Sequence, residues 1–220
     1  MRNLDPAKII DFALFFPGFL LSLSFHEAAH GLVAFKLGDP TAKAMGRVSL
    51  NPFAHADPIG TFLLPIVGFF WGGFLVGWGI PVPIDYRNFK SWKKDALLVA
   101  LAGPVSNLLL AVLFAGIIHL MAALDPNWFR AEGINTLTFV AHAVVTVFYL
   151  NLALAFFNLI PIHPLDGGKI LYGLLPATIA ETFDSFATRY GFILLILLLV
   201  SGLYRYLVGI PMNFMAELLL

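Results

Sequence analysis

His26, Glu27 and His30 stand in the order His-Glu-Ala-Ala-His. On a helix, residues four apart share a face, so both imidazoles point the same way and can bind one metal ion. Glu27 sits one step round the helix, where its carboxylate can reach a metal-held water and take its proton. These residue types at this spacing equip a site for metal-assisted hydrolysis. Zinc is the metal most often found with imidazole and carboxylate donors in such sites. The 220 residues include no cysteine, which excludes a thiolate site and a disulfide framework.

The trio lies where a membrane helix should be. The run from Ile9 to Leu37 is otherwise apolar and long enough to cross a bilayer. The chain is 60% hydrophobic and 12% charged, with mean hydropathy +0.87. Soluble domains run to roughly 45–50% apolar and about 25% charged. A soluble protein this apolar would expose large patches and aggregate. The formal net charge is zero, so no footprint for nucleic acid is present, and the lipid bilayer is the partner that composition names. An ionisable group at bilayer depth costs at least about 2.5–3.5 kcal/mol. Two His and one Glu clustered there need a compensating role, which a bound metal supplies.

Catalytic zinc takes three protein ligands and a water. Asp166 is the best-placed third ligand, because it follows an apolar segment and precedes Gly167-Gly168, where backbone can approach closely. The plainer alternative is a carboxylate that caps the following helix. His163, three residues earlier, and His55, in a loop beside Asp57, are rivals; they stand as groups behind the ligands or as substrate-binding groups. Asn107 and Asn158 lie in apolar segments. Each is either polar glue between helices or a holder of substrate backbone and tetrahedral oxyanion. His119 and His142 stand alone on apolar segments, and interhelical hydrogen bonds account for them.

The elements that must position these groups follow from hydropathy and breakers. A first helix is expected over 8–37, bent at Pro17-Gly18 and ended by Gly38-Asp39-Pro40. No small-residue cleavage site follows it, so it is expected to be retained. The region 41–93 is mixed. Met45 to Leu50 alternates as a short strand, and Pro81 to Ile84 is extended. The stretch 61–80 is long enough to span, yet Pro65, Gly68, Gly72, Gly73, Gly77 and Gly79 make it a poor continuous helix. Arg87, Lys90, Lys93 and Lys94 form the densest basic cluster. Helices are expected over 95–124, 134–160 and 183–207, with a polar loop at 125–133 and a short amphipathic helix over 169–175. The fold class is an all-α polytopic membrane protein, one domain over 1–220. Three spans carry the site, joined by a re-entrant, β-like segment and one or two further hydrophobic helices.

Three stretches together carry a resemblance: His-Glu-Ala-Ala-His in a first span, Gly-Pro-Val-Ser-Asn in a middle span, and Asn-Leu-Ile-Pro-Ile-His-Pro-Leu-Asp-Gly-Gly after a later one. Their order and placement resemble the site-2 protease family, intramembrane zinc metalloproteases, across nearly the whole chain. The resemblance implies that His26, His30 and Asp166 bind one zinc ion and that Glu27 is the general base and acid. It further implies that Asn158, with Asn107, handles substrate, the membrane-spanning segment of another protein. Arg47 to Pro52 and the Gly-Trp-Gly-Ile-Pro-Val-Pro stretch look like the small bacterial members. Over these 220 residues the PDZ or CBS domain of other branches is not expected.

Parity constrains the topology. The His pair lies near the C-terminal end of its helix and Asp166 just past the end of another, so both ends must share one face of the bilayer. They meet only if 61–80 re-enters and returns, a broken backbone tolerated where protein or a cavity surrounds it. Nine of the Lys and Arg residues then fall on the active-site face (36, 43, 47, 87, 90, 93, 94, 169 and 189) and four on the other (2, 8, 130 and 205). The positive-inside rule makes the active-site face cytoplasmic in a cell membrane. The alternative function is a metal-ion or proton transporter using the same intramembrane groups, which leaves Glu27 poorly explained.

Overall fold

The computed structural model describes residues 6–72, 77–125, 128 and 136–220. Among these described residues eight α-helical elements follow in chain order: α1 (Pro6–Lys36), α2 (Thr41–Ala44), α3 (Leu64–Val67), α4 (Trp92–Leu124), α5 (Thr136–Asn158), α6 (Asp166–Leu174), α7 (Ala177–Ser201) and α8 (Tyr204–Leu219). Four helical stretches among the described residues are long and apolar enough to cross a membrane: Lys8–Lys36, Trp92–Leu124, Thr138–Asn158 and Ala177–Ser201. The chain is an all-α, multi-pass membrane protein.

α1, α4 and α5 pack on one another pairwise and form the core; α6 lies on α4, and α8 lies on α5. α4 shows why. Val99, Ala111, Ala115 and Ile118 are buried, while Leu109, Val112, Leu113 and Leu120 face outward. A helix with protein on one side and lipid on the other has no reason to be polar on either. α7 presents Phe192, Ile193, Leu197 and Val200 outward, as a lipid-facing helix does.

Between α2 and α4 the chain makes a hairpin. Its outward leg is one helical stretch of uneven winding, π over Pro58–Leu63, α over Leu64–Val67 and π again over Gly68–Gly72. Asp57 caps it, accepting from Ile59 N–H and Gly60 N–H at 2.9 and 2.6 Å. The leg packs on the first half of α1 through Phe12, Phe15, Phe16, Phe62 and Phe69. The return closes on its own start: Trp78 N–H donates to Gly60 O at 3.1 Å, and the Thr61 hydroxyl donates to Trp78 O at 2.8 Å. A continuous 20-residue helix would separate such ends by about 30 Å. The two described ends of the segment therefore lie together, as a re-entrant path would have them.

Three expectations need correction. Met45 to Leu50 is not a strand. Met45 N–H and Arg47 N–H close back onto Thr41 O and Ala42 O, Gly46 sits at φ 67°, and a ladder partner is lacking among the described residues. The helix expected over 183–207 starts earlier, at Ala177, and stops at Gly202, whose left-handed φ of 73° ends α7 before α8 begins. The amphipathic helix expected over 169–175 begins at Asp166 and ends at Leu174, so Asp166 occupies its first turn rather than the preceding cap position. Most of the loop expected over 125–133 lies outside the described residues, as do 134 and 135.

Candidate metal centre

α1 delivers His26 and His30 to one face, and their rings meet edge to face with centroids 4.7 Å apart. Asp166 arrives from the first turn of α6. Its Oδ2 lies 3.0 Å from His26 Nε2 and 3.2 Å from His30 Nε2, and the two Nε2 atoms are 3.1 Å apart. All three residues are buried, and among the described residues they form the one group able to hold a metal ion.

The far ring nitrogens decide what those three atoms can do. His30 Nδ1 lies 2.6 Å from Val99 O, a carbonyl that only accepts, so Nδ1 carries the hydrogen and Nε2 presents a lone pair. His26 Nδ1 lies 2.6 Å from Asn107 Oδ1, with the same result. Two imidazole lone pairs and a carboxylate oxygen thus converge within 3.2 Å, an arrangement that repels itself without a cation at its centre. Tetrahedral zinc with bonds of about 2.0–2.1 Å spaces its ligand atoms about 3.3–3.4 Å apart. The donors present fit that ion within a few tenths of an ångström.

α4 supplies the floor. A Cβ at Gly103 would overlap Nε2 of both His26 and His30, so only glycine leaves this cradle open. Pro104 follows, fully buried, and lacks the N–H that would bond one turn back. The carbonyl deprived of its helical donor is that of Ala100, next to the Val99 O that His30 uses.

Glu27 is half-buried beside this group, and its Oε2 accepts from Val82 N–H at 3.0 Å. Val82 belongs to an extended strap running from the hairpin toward α4. Arg47 ties the strap by donating to Ile80 O at 2.5 Å. Asp39 ties the next part, accepting from Asp85 N–H and the Asn88 amide at 2.8 Å each, and from Thr41. Burial pushes the Asp39 carboxyl up, but the Thr41 hydroxyl and the Asp85 and Asn88 donors outweigh it and hold it below the usual carboxylate range.

The remaining sequence candidates fall elsewhere. Asn107 is fully buried behind His26. Asn158 ends α5, half-buried, and donates to Leu154 O one turn back at 2.9 Å. His55 is buried under the hairpin with Nε2 donating to Ser49 O at 2.8 Å. His163 lines a cavity of about 220 Å³ with Tyr86, Trp92, Lys169 and Asp184. His119 bonds Leu219 O of α8 at 2.8 Å, an interhelical bond, whereas His142 bonds Thr138 O of its own helix. A second cavity, about 490 Å³, is lined by Phe15, Phe19, Leu150, Phe157 and Met212 and includes none of the metal group.

Sequence reasoning missed Ser22, Val99, Gly103 as a cradle, Val82 and Asn151. Asn151, polar inside an apolar span, carried a usable signal. A carbonyl or a backbone N–H carries none.

The family model for Peptidase family M50 matches residues 14–198. The chain belongs to peptidase family M50. It is 38% identical over 194 residues to a Bacillus subtilis protein named "Putative zinc metalloprotease YwhC", covering 88% of this chain and 83% of that one. A Mycolicibacterium smegmatis protein named "Putative zinc metalloprotease Rip2" is 32% identical over 195 residues, 86% of this chain and 68% of its own length. No solved structure matches the chain. As an M50 member, the chain is an intramembrane metallopeptidase whose cofactor is zinc, in keeping with the donors described above.

Proposed function

We propose that this M50 peptidase hydrolyses a peptide bond in or beside the membrane-spanning segment of another membrane protein, with His26, His30 and Asp166 holding the zinc and Glu27 moving the proton. One observation carries this reading: three lone pairs from two distant parts of the chain converge within 3.2 Å, with Glu27 alongside.

When bound, zinc lowers the pKa of a coordinated water to about 7 and polarises the scissile carbonyl. Glu27 takes a proton from the attacking water and later gives it to the leaving amine nitrogen, work worth about 10²–10⁴-fold in rate. Val99 O and Asn107 Oδ1 hold the two imidazoles with Nε2 facing inward. Asn158 at the end of α5 remains the candidate to steady the substrate backbone.

A helical substrate hides its amides in its own hydrogen bonds, so it must be drawn out before it is cut. The strap offers a partner. Pro81 and Pro83 have no N–H, so one edge of the strap donates nothing. Alternation puts Val82 and Ile84 on the other edge, the one whose Val82 N–H already meets Glu27. An extended substrate would add as a strand on that edge, its scissile bond passing Glu27. Lys36 at the end of α1, Lys43, Arg47, Arg87 and Lys90 between the helices, and Lys93 and Lys94 in the first turn of α4 support a cytoplasmic orientation for this face of a cell-membrane protein.

The test is cleavage of a membrane-protein substrate by wild type and Glu27→Gln, each with its zinc counted. The expected outcome is one zinc per chain in both and a loss of cleavage of about 10³-fold or more in the variant. Full cleavage by Glu27→Gln would sink the mechanism. Metal flux that survives the substitution would point to transport instead.

A further inference from the structure

Three helices each contribute one fully buried polar residue behind His26: Ser22 from α1, Asn107 from α4 and Asn151 from α5. Polar groups buried inside membrane spans are costly unless every donor finds an acceptor. Here the amide donors close. Both hydrogens of Asn107 Nδ2 are used, on Ser22 O at 3.2 Å and Asn151 Oδ1 at 2.8 Å. Both hydrogens of Asn151 Nδ2 are used, on Ser22 Oγ and Val147 O at 2.9 Å each.

The directions of these bonds are forced. Val147 O and Ser22 O are carbonyls and only accept, so they fix which end of each amide is nitrogen. With both amides fixed, Asn107 has only its oxygen left, and that oxygen lies 2.6 Å from His26 Nδ1. His26 must then carry its hydrogen on Nδ1 and turn the Nε2 lone pair toward Asp166 and His30. A flip of either amide would set donor against donor at one end of the patch and leave an acceptor unmet at the other.

We propose that Asn107 and Asn151 are positioning residues for the metal, Asn107 acting through His26 and Asn151 acting through Asn107, and that neither holds substrate. The inference rests on the reading of His26, His30 and Asp166 as the zinc ligands. It reassigns Asn107, which the motif alone offers equally as a substrate contact. Its amide has no hydrogen left to give a substrate, and its oxygen accepts from His26 Nδ1.

The experiment uses the full chain in detergent, with zinc affinity measured by chelator competition, the visible spectrum of the cobalt-substituted protein, and kcat and KM at saturating zinc. Asn151→Leu, two bonds removed from the metal, is expected to weaken zinc binding about 10–100-fold and to shift the cobalt bands, with KM within twofold of wild type. Asn151→Gln, which keeps both amide functions, is expected to recover part of the loss. Asn107→Leu is expected to weaken zinc binding at least as much. Unchanged zinc affinity and cobalt spectrum in both leucine variants, with KM raised, would overturn the proposal in favour of substrate binding. Should one leucine variant fail to fold, the other and Asn151→Gln decide the matter on zinc affinity. Wild type that binds no zinc would overturn the ligand assignment itself, an outcome distinct from wild type and variants binding it equally.

Discussion

The metal group and the strap lie side by side, and they are built in opposite ways. The metal group stands on α1 and α6, floored by α4, and each imidazole is pinned from behind by a buried acceptor. The strap is extended backbone, exposed at Ile80 and Pro81, held by side chains reaching over from the loop after α1. Donors that must keep their spacing to a few tenths of an ångström sit on rigid helices packed on three sides. The strap, proposed to take up an extended peptide, is held by a few bonds at its margin. On the proposed function, holding the metal and handling the substrate are separate tasks, and Glu27 joins them, on α1 on one side and bonded to Val82 N–H on the other.

The largest effect is expected where the core admits no change. Gly103→Val would push a branched side chain into both imidazoles. Zinc counted on the purified variant should be nearly absent, and cleavage should fall by roughly 10³-fold or more. Normal zinc in this variant would show that the cradle is not closed as described. The strap should respond differently. Val82→Pro removes the N–H that meets Glu27 and blanks the last donor between Pro81 and Pro83. It is expected to lower kcat/KM by about 10–100-fold through lost positioning, with zinc content unchanged. If zinc is lost as well, the two regions are not separable.

That separation was only half legible in the sequence. His26 and His30 announce themselves because four residues make about one helical turn, and Asp166 because it follows an apolar segment and precedes Gly167-Gly168. The hairpin was legible through its glycines and the parity of the helix ends. The strand expected over Met45 to Leu50 was not there. Alternation describes side chains, while a strand needs a partner ladder; here the backbone turns at Gly46 and Arg47 reaches across to Ile80 instead. The early start of α7 was hidden because Thr178, Glu181 and Thr182 break the apolar run without breaking the helix. Val99 O, Val82 N–H and the Asp39 clamp on Asp85 N–H are backbone partners, and residue type does not encode them.

The smallest effect is expected at that clamp. Asp39 accepts four hydrogen bonds, and its folded pKa is depressed, so its stabilisation is complete above the unfolded value near 4 and is lost as pH falls through the folded one. Asp39→Asn should lower stability at pH 7 by about 1 kcal/mol or slightly more. The gap to wild type should narrow as pH drops below about 4, read from thermal unfolding in detergent at each pH. A gap that widens on acidification would reverse the assigned sign.

The account turns on one ion held between α1 and α6. X-ray absorption at the zinc edge of the purified wild-type protein tests this directly. The predicted spectrum is that of one zinc per chain, with two imidazole nitrogens and a carboxylate oxygen at about 2.0–2.2 Å. A shell with one imidazole, or an all-oxygen shell, would contradict it.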